Sequence, residues 1–205
     1  MINEIRLTFK ENKKAIIAAT TILFISLILG YILKPYLYDI LNPVVEDLTK
    51  KVHTGVIKLT FQDIFLNNIK IVFLMFFFGL VCCFSAIILA YNGFFTGYYV
   101  ATTNNLTHTL LLTIPHGIFE FPSCILACAS GFVLFNFLVK FLKTLLKQEN
   151  TSVKESLTVA FNNSYIKLKQ AIILLIFASI LMIIAGFVEV YLTVPISQFV
   201  ISIFS

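Results

Sequence analysis

Long apolar stretches recur along the whole chain, separated by short polar segments. Residues 15–33, 69–91 and 171–188 each approach the roughly 20 residues a helix needs to cross a bilayer's hydrocarbon core. Residues 118–141 form another such stretch, with Glu120 near its start. Residues 94–115 are also long enough to cross, yet their middle reads Thr102-Thr103-Asn104-Asn105-Leu106-Thr107-His108. Lipid cannot satisfy an interrupted backbone, so this third span is expected to be broken or partly re-entrant, its polar middle facing protein or water. The pattern predicts an all-α, polytopic transmembrane helix bundle of about five spans, forming a single integral membrane domain.

Three shorter segments carry a different pattern. Over residues 43–59, Val44/Val45, Leu48, Val52, Val56 and Leu59 recur at helical spacing while Glu46, Asp47, Lys50 and Lys51 fall elsewhere. That is an interfacial amphipathic helix, placed on the outer face. Ser152 and Glu155 have the S-x-x-E spacing of a capping box. They are expected to start a cytoplasmic helix over about 153–166, with Val153, Leu157, Ala160/Phe161 and Ser164 on one face. Residues 196–204, beyond Pro195, are apolar but too short to span, and are expected at the outer interface.

Charge orients the spans. Arg6, Lys10, Lys13 and Lys14 precede the first, and Lys140, Lys143, Lys147, Lys154, Lys167 and Lys169 follow the fourth. Under the positive-inside rule both segments are cytoplasmic. The result is a multi-pass cell-membrane protein with its N-terminus in the cytoplasm and its C-terminus outside. Lys34-Pro35-Tyr36-Leu37 is not a small-residue cleavage site, so the first span is expected to be retained.

Composition agrees: 59% of the residues are hydrophobic and 12% charged, against nearly half and a quarter in soluble domains. The net charge of +5 comes from lysines flanking the spans, where they meet lipid headgroups. This excludes nucleic acid as a partner. Cys82, Cys83, Cys124 and Cys128 lie within apolar runs and pack as small hydrophobes.

Intramembrane ionisable groups are costly, and each one is a functional candidate. His116 and Glu120 are four residues apart, on one face of a helix that Pro115 is expected to start. In five spans they stand at the same depth as Glu189. The trio suits a metal, proton or small-ligand site. The favoured alternative is a hydrogen bond between His116 and Glu120 that fixes helix register, with Glu189 simply at the interface. Whether a metal binds is unknown from the sequence, and no cofactor is implied. H-E-x-x-H, nucleophile-elbow, phosphate-loop and kinase motifs are absent. His108, among Thr and Asn, is expected to hydrogen-bond inside the bundle, and His53 to be solvated. Gly93 and Gly97 form G-x-x-x-G, and Ser123, Ala127 and Gly131 a small-residue stripe. Both promote close helix approach.

Taken in order, these features resemble the stage II sporulation protein M family of bacterial and archaeal membrane proteins. Asn67-Asn68 begins a span, and Asn92-Gly93-x-x-x-Gly97 follows. Pro115-His116-Gly117-Ile118-Phe119-Glu120 precedes the small-residue stretch, and Gly186-Phe187-Val188-Glu189 lies just before Pro195. The resemblance covers about residues 60–195, and His-Gly-Ile-Phe-Glu is its most specific part. It implies an integral membrane protein with no established catalytic activity; the family's namesake anchors a peptidoglycan-degrading complex during engulfment. The leading expectation is a non-enzymatic scaffold or anchor for membrane or envelope proteins, with homo-oligomerisation left open. The alternative is a small transporter or permease-like component moving a proton or cation through His116, Glu120 and Glu189. An intramembrane metalloenzyme built on the same residues ranks third.

Overall fold

The computed structural model describes residues 2–54, 60–81, 84–103, 105–148 and 152–204. Cys82, Cys83, Asn104, Val56 and Leu59 lie outside the described residues, as do the side chains of Leu48, Val52 and His53. The chain forms α1 (Ile2–Glu11), α2 (Lys13–Ile32), α3 (Lys34–His53), α4 (Phe61–Phe78), α5 (Phe84–Thr102), α6 (Leu106–Leu146) and α7 (Val153–Phe187). A π-helical segment, Val188–Leu192, then leads into α8 (Thr193–Phe204). Four stretches are long and apolar enough to cross a membrane: Lys13–Ile32, Phe61–Phe78, Leu106–Leu146 and Val153–Ile203.

Side-chain contacts set the direction of each helix. Ser123 donates to the Ala178 carbonyl at 2.7 Å, and the Phe137 and Phe161 rings meet edge to face, so α6 and α7 are antiparallel. Gly93 of α5 faces Leu23 and Ser26 of α2, while Gly97 faces Leu27 and Tyr31, so those two helices are parallel. The Ser85 hydroxyl donates to the Met75 carbonyl, which is possible only if the chain reverses between Phe78 and Phe84. Phe61 and Phe65, at the start of α4, pack on Gly186 near the end of α7. The bundle is therefore built from five packed helices, α2, α4, α5, α6 and α7, with α6 touching each of the other four; α5 is not among the four stretches long and apolar enough to cross.

The α4–α5 reversal corrects the expected span over 69–91, which is two helices and not one. Its physical basis is complete satisfaction of the α4 C-terminus in apolar surroundings. Gly79, Leu80 and Val81 donate backbone N–H groups to the Phe76, Phe77 and Phe78 carbonyls, each at 3.1 Å, and Ser85 takes the Met75 carbonyl. All four carbonyls left open by a helix end are thus paired. Residues 94–115 do break, but at a turn between α5 and α6. The Thr102 and Thr103 hydroxyls donate to the Tyr99 and Val100 carbonyls, and the Asn105 side chain accepts the His108 N–H at 3.0 Å. The polar residues are caps, and the His108 side chain is exposed rather than bonded within the bundle.

Several boundaries move for related reasons. The expected spans 118–141 and 171–188 are parts of longer helices, because α6 runs through Pro115 and Pro122. The amphipathic segment expected at 43–59 starts earlier, at Lys34, with Pro43 inside α3. The segment 153–166 is the beginning of α7 and not a separate helix; Ser152 is its N-cap residue, but its side chain makes no capping hydrogen bond. Residues 196–204 belong to α8, which continues α7 through the π segment. That widened turn lies just upstream of Pro195, whose ring would crowd the Tyr191 carbonyl in a regular helix.

Small residues let the backbones meet. A Cβ on Gly131 would strike the Ser85 hydroxyl and Met75 carbonyl, one on Gly79 the Gly131 backbone, and one on Gly30 the Phe94 backbone. Ser123, Ala127, Ala171 and Ala178 are fully buried along the α6–α7 seam. Gly131→Leu and Gly93→Leu should each lower the melting temperature of the detergent-solubilised protein, since overpacking costs about 1–3 kcal/mol. Gly117→Ala should melt like the wild type, because its Cβ would meet only the Phe121 ring, at 3.5 Å.

Candidate functional site

His116 lies on α6 one residue after Pro115, well inside the helix. The proline does not set a helix start, so no helix N-terminus favours a negative charge at Glu120. Both side chains are nevertheless positioned by helical spacing. The His116 Nε2 is 3.9 Å from a Glu120 oxygen, within ion-pair range but longer than a direct hydrogen bond. Their side chains retain 16% and 28% exposure, so most of each is enclosed by protein.

The other half of the cluster comes from the end of the α7 helix. Glu189 occupies the π segment, which packs against α6. Thr193, the first residue of α8, is buried; its hydroxyl donates to the Val188 carbonyl at 3.1 Å and lies 3.5 Å from His116 Nδ1. With the Thr193 proton directed at Val188, the hydroxyl oxygen is free to accept an Nδ1–H of His116. Nε2 of a neutral imidazole is then an acceptor facing Glu120. No described group of three or more His, Cys, Asp or Glu side chains could hold a metal ion, so the trio does not form a metal donor set.

The remaining candidates fall elsewhere. Gly93, Gly97 and Gly131 are buried contacts of α5 with α2 and of α6 with the α4–α5 turn. Asn67 and Asn68 sit midway along α4, and Asn92 on α5. Gly117 is buried on α6, where an added Cβ would meet only the Phe121 ring, and Pro195 is exposed on α8. Cys124 and Cys128 are free thiols buried in the core.

Sequence reasoning missed a second polar site at the opposite end. Buried Asn12, in the break between α1 and α2, donates to the Gln170 side chain at 3.0 Å. Gln170 donates to Glu11 at 2.8 Å, Lys167 pairs with Glu11 at 3.3 Å, and Lys169 pairs with Glu4 at 2.6 Å. The Phe9 ring meets Phe177 edge to face. The available signal was the placement of Glu4 and Glu11 in an otherwise basic tail. Hydrogen bonding to Lys169 holds Glu4 below its ordinary carboxylate range, and hydrogen bonding to Gln170, then Lys167, does the same for Glu11.

The stage II sporulation protein M family matches the chain over residues 19–194. Two uncharacterized proteins of Methanocaldococcus jannaschii are similar to it. MJ0706 is 32% identical over 203 residues, covering 94% of this chain and 87% of its own. MJ0793 is 30% identical over 151 residues, covering 71% and 78% respectively. No solved structure matches the chain.

Two outcomes test these sites. Glu120→Gln retains a donor for His116 and should cost no more than about 1 kcal/mol. Glu120→Leu strands the imidazole and should cost more, on the order of 1–3 kcal/mol; equal melting temperatures would show that the two side chains do not bond. At the other end, carboxyls held below their ordinary value stabilise α1 docking above that value, near 4.5, and lose the contribution as pH falls through the lowered pKa. Hydrogen exchange in α1 should therefore accelerate on acidification below 4.5, and Glu4→Gln with Glu11→Gln should remove that pH dependence.

Proposed function

The chain belongs to the stage II sporulation protein M family, and we propose that it works as a non-enzymatic membrane scaffold or anchor for other membrane or envelope proteins. It is a multi-pass helical membrane protein. The observation that carries the scaffold reading is the length of the α6–α7 pair. α6 has 41 residues, about 60 Å at 1.5 Å per residue, twice the roughly 30 Å hydrocarbon thickness. A bundle that only had to fill the bilayer would end its helices near that thickness.

The overshoot lies at one end. Midway between the Ser123–Ala178 and Phe137–Phe161 contacts, Gly131 stands level with Gln170. Gln170 binds Asn12, immediately before α2, and Gly131 packs on the α4–α5 turn. Three of the helices thus end at this depth, while α6 and α7 continue as a two-helix arm about 22 Å further. The Phe137–Phe161 contact and the buried residues Ser156, Ala160 and Ser164 hold its helices together. A stiff paired arm beyond the membrane is suited to holding another protein.

The transporter reading drew on a polar third span, and those residues serve as turn and caps here. The arm, with its lysines, is assigned to the cytoplasmic side together with the N-terminus; α3 and the His116 cluster face outward, as does the C-terminus. In intact cells, cysteine placed at Lys154 in a background without native Cys should resist membrane-impermeant maleimide until the cytoplasmic face is opened. Cysteine at Lys50 should react at once. Labelling of Lys154 from outside would reverse the orientation.

A further inference from the structure

The arm buries its small side chains and exposes its large ones. On α7, Ser156, Ala160 and Ser164 face α6, while Leu157 and Phe161 are more than two-fifths exposed. At the tip, Leu146 is 82% and Val153 76% exposed. On α6, Asn136, Lys140, Lys143 and Lys147 are exposed at helical spacing. With Val139 and Thr144, all on α6, they border a shallow open concavity of about 280 Å³. Among the described residues, Lys140, Lys143, Lys147 and Lys154 make no ion pair.

Lipid-facing helices also expose large apolar residues, so depth decides what covers these. Lys140 and Lys147 lie nine and sixteen residues beyond Gly131, about 13 Å and 24 Å along the helix. The headgroup layer is only about 5–8 Å thick on each side of the hydrocarbon. A membrane surface therefore cannot collect all three α6 lysines, and the tip leucine and valine stand in water. Residues 140–157 carry four lysines against Glu149 and Glu155, so two copies of the tip repel. A cover with both acidic and apolar side chains fits the concavity and the tip.

We propose that the open end of the α6–α7 arm, centred on Lys140, Lys143 and Lys147 and with Leu146 and Val153 exposed at its tip, docks an acidic amphipathic segment of a second, cytoplasmic protein. The proposal rests on the scaffold reading and names the chemistry of one partner. Charge draws the segment to the concavity, and its apolar face covers the tip, as in helix-in-groove recognition. The same charge arrangement excludes basic segments.

The test uses the full-length protein in phosphatidylcholine nanodiscs and, as probe, a fluorescent 18-residue Leu/Glu amphipathic helix. The probe should bind saturably at least tenfold tighter than its Leu/Lys counterpart or a scrambled Leu/Glu sequence. Lys140→Glu with Lys143→Glu and Lys147→Glu should reduce binding at least tenfold with unchanged melting temperature, and so should Leu146→Ser with Val153→Ser. Undiminished binding to either variant overturns the proposal. Protection of the three lysines from amine labelling in phosphatidylglycerol nanodiscs, but not in phosphatidylcholine, also overturns it, since lipid would then be the cover. Photo-crosslinking in cells separates this failure from failure of the scaffold reading. Protein adducts from Leu146 to an acidic segment, lost in the triple lysine variant, support the proposal. Adducts only from Tyr36 or Ile118 sink the arm and keep the scaffold, while adducts from none of these positions sink both.

Discussion

Close backbone approach around α6 is the contact on which the rest of the structure depends. Inside a bilayer, lipid tails are as apolar as leucine, so burial of apolar surface gives helices little reason to associate. Dispersion and short polar contacts remain, and both require small side chains at the seam. Gly131 gives that access to the α4–α5 turn, and Ser123, Ala127, Ala171 and Ala178 give it between α6 and α7. The α2–α5 pair solves the same problem with Gly30, Gly93 and Gly97. Because α6 touches the other four packed helices, an error at its small-residue face displaces them all.

Hydroxyl groups complete this packing. Ser26, Ser130 and Ser164 return their protons to carbonyls three or four residues earlier, so each fits a tight interface without leaving a buried donor open. Ser123 and Ser85 donate across elements instead, and so fix which turn of α6 meets α7 and where α4 gives way to α5. The penalty for an unpaired polar group is highest in such surroundings, which gives these few bonds leverage over register.

The helical membrane bundle and its family were legible because long apolar runs and the His-Gly-Ile-Phe-Glu motif are local signals. Gly93, Gly97 and Gly131 were legible as close contacts for the same reason. The division of residues 69–115 was not. An apolar window cannot distinguish one span at 69–91 from a reversal after Phe78, because the reversal is paid for by Ser85 and three backbone donors, and all are compatible with an apolar run. The polar stretch near Asn105 was visible, but its function as caps depends on where α5 ends. His116 and Glu120 share a helical face, 3.9 Å apart, as their spacing implies, whereas Thr193 was missed because it lies beyond the π segment. The Asn12–Gln170 bond joins residues 158 positions apart, a separation no local pattern reports.

The arm shows a further limit of hydrophobic patterning. Through the bundle, α6 and α7 turn small residues inward and large apolar residues outward, which suits lipid. The same arrangement continues past Gly131 and Gln170, where the surroundings change but the side-chain pattern does not. Seen along the sequence, Leu142, Leu146, Val153 and Leu157 simply extend neighbouring apolar segments. On the depth proposed from Asn12 and the α4–α5 turn, these residues stand beyond the hydrocarbon, beside a stripe of lysines. An outward apolar face is matched to its solvent in lipid and unmatched in water, so the helix pair changes character at that depth without any change in secondary structure. The bundle needs nothing more to be complete, whereas the proposed partner would match the arm's apolar face to its surroundings.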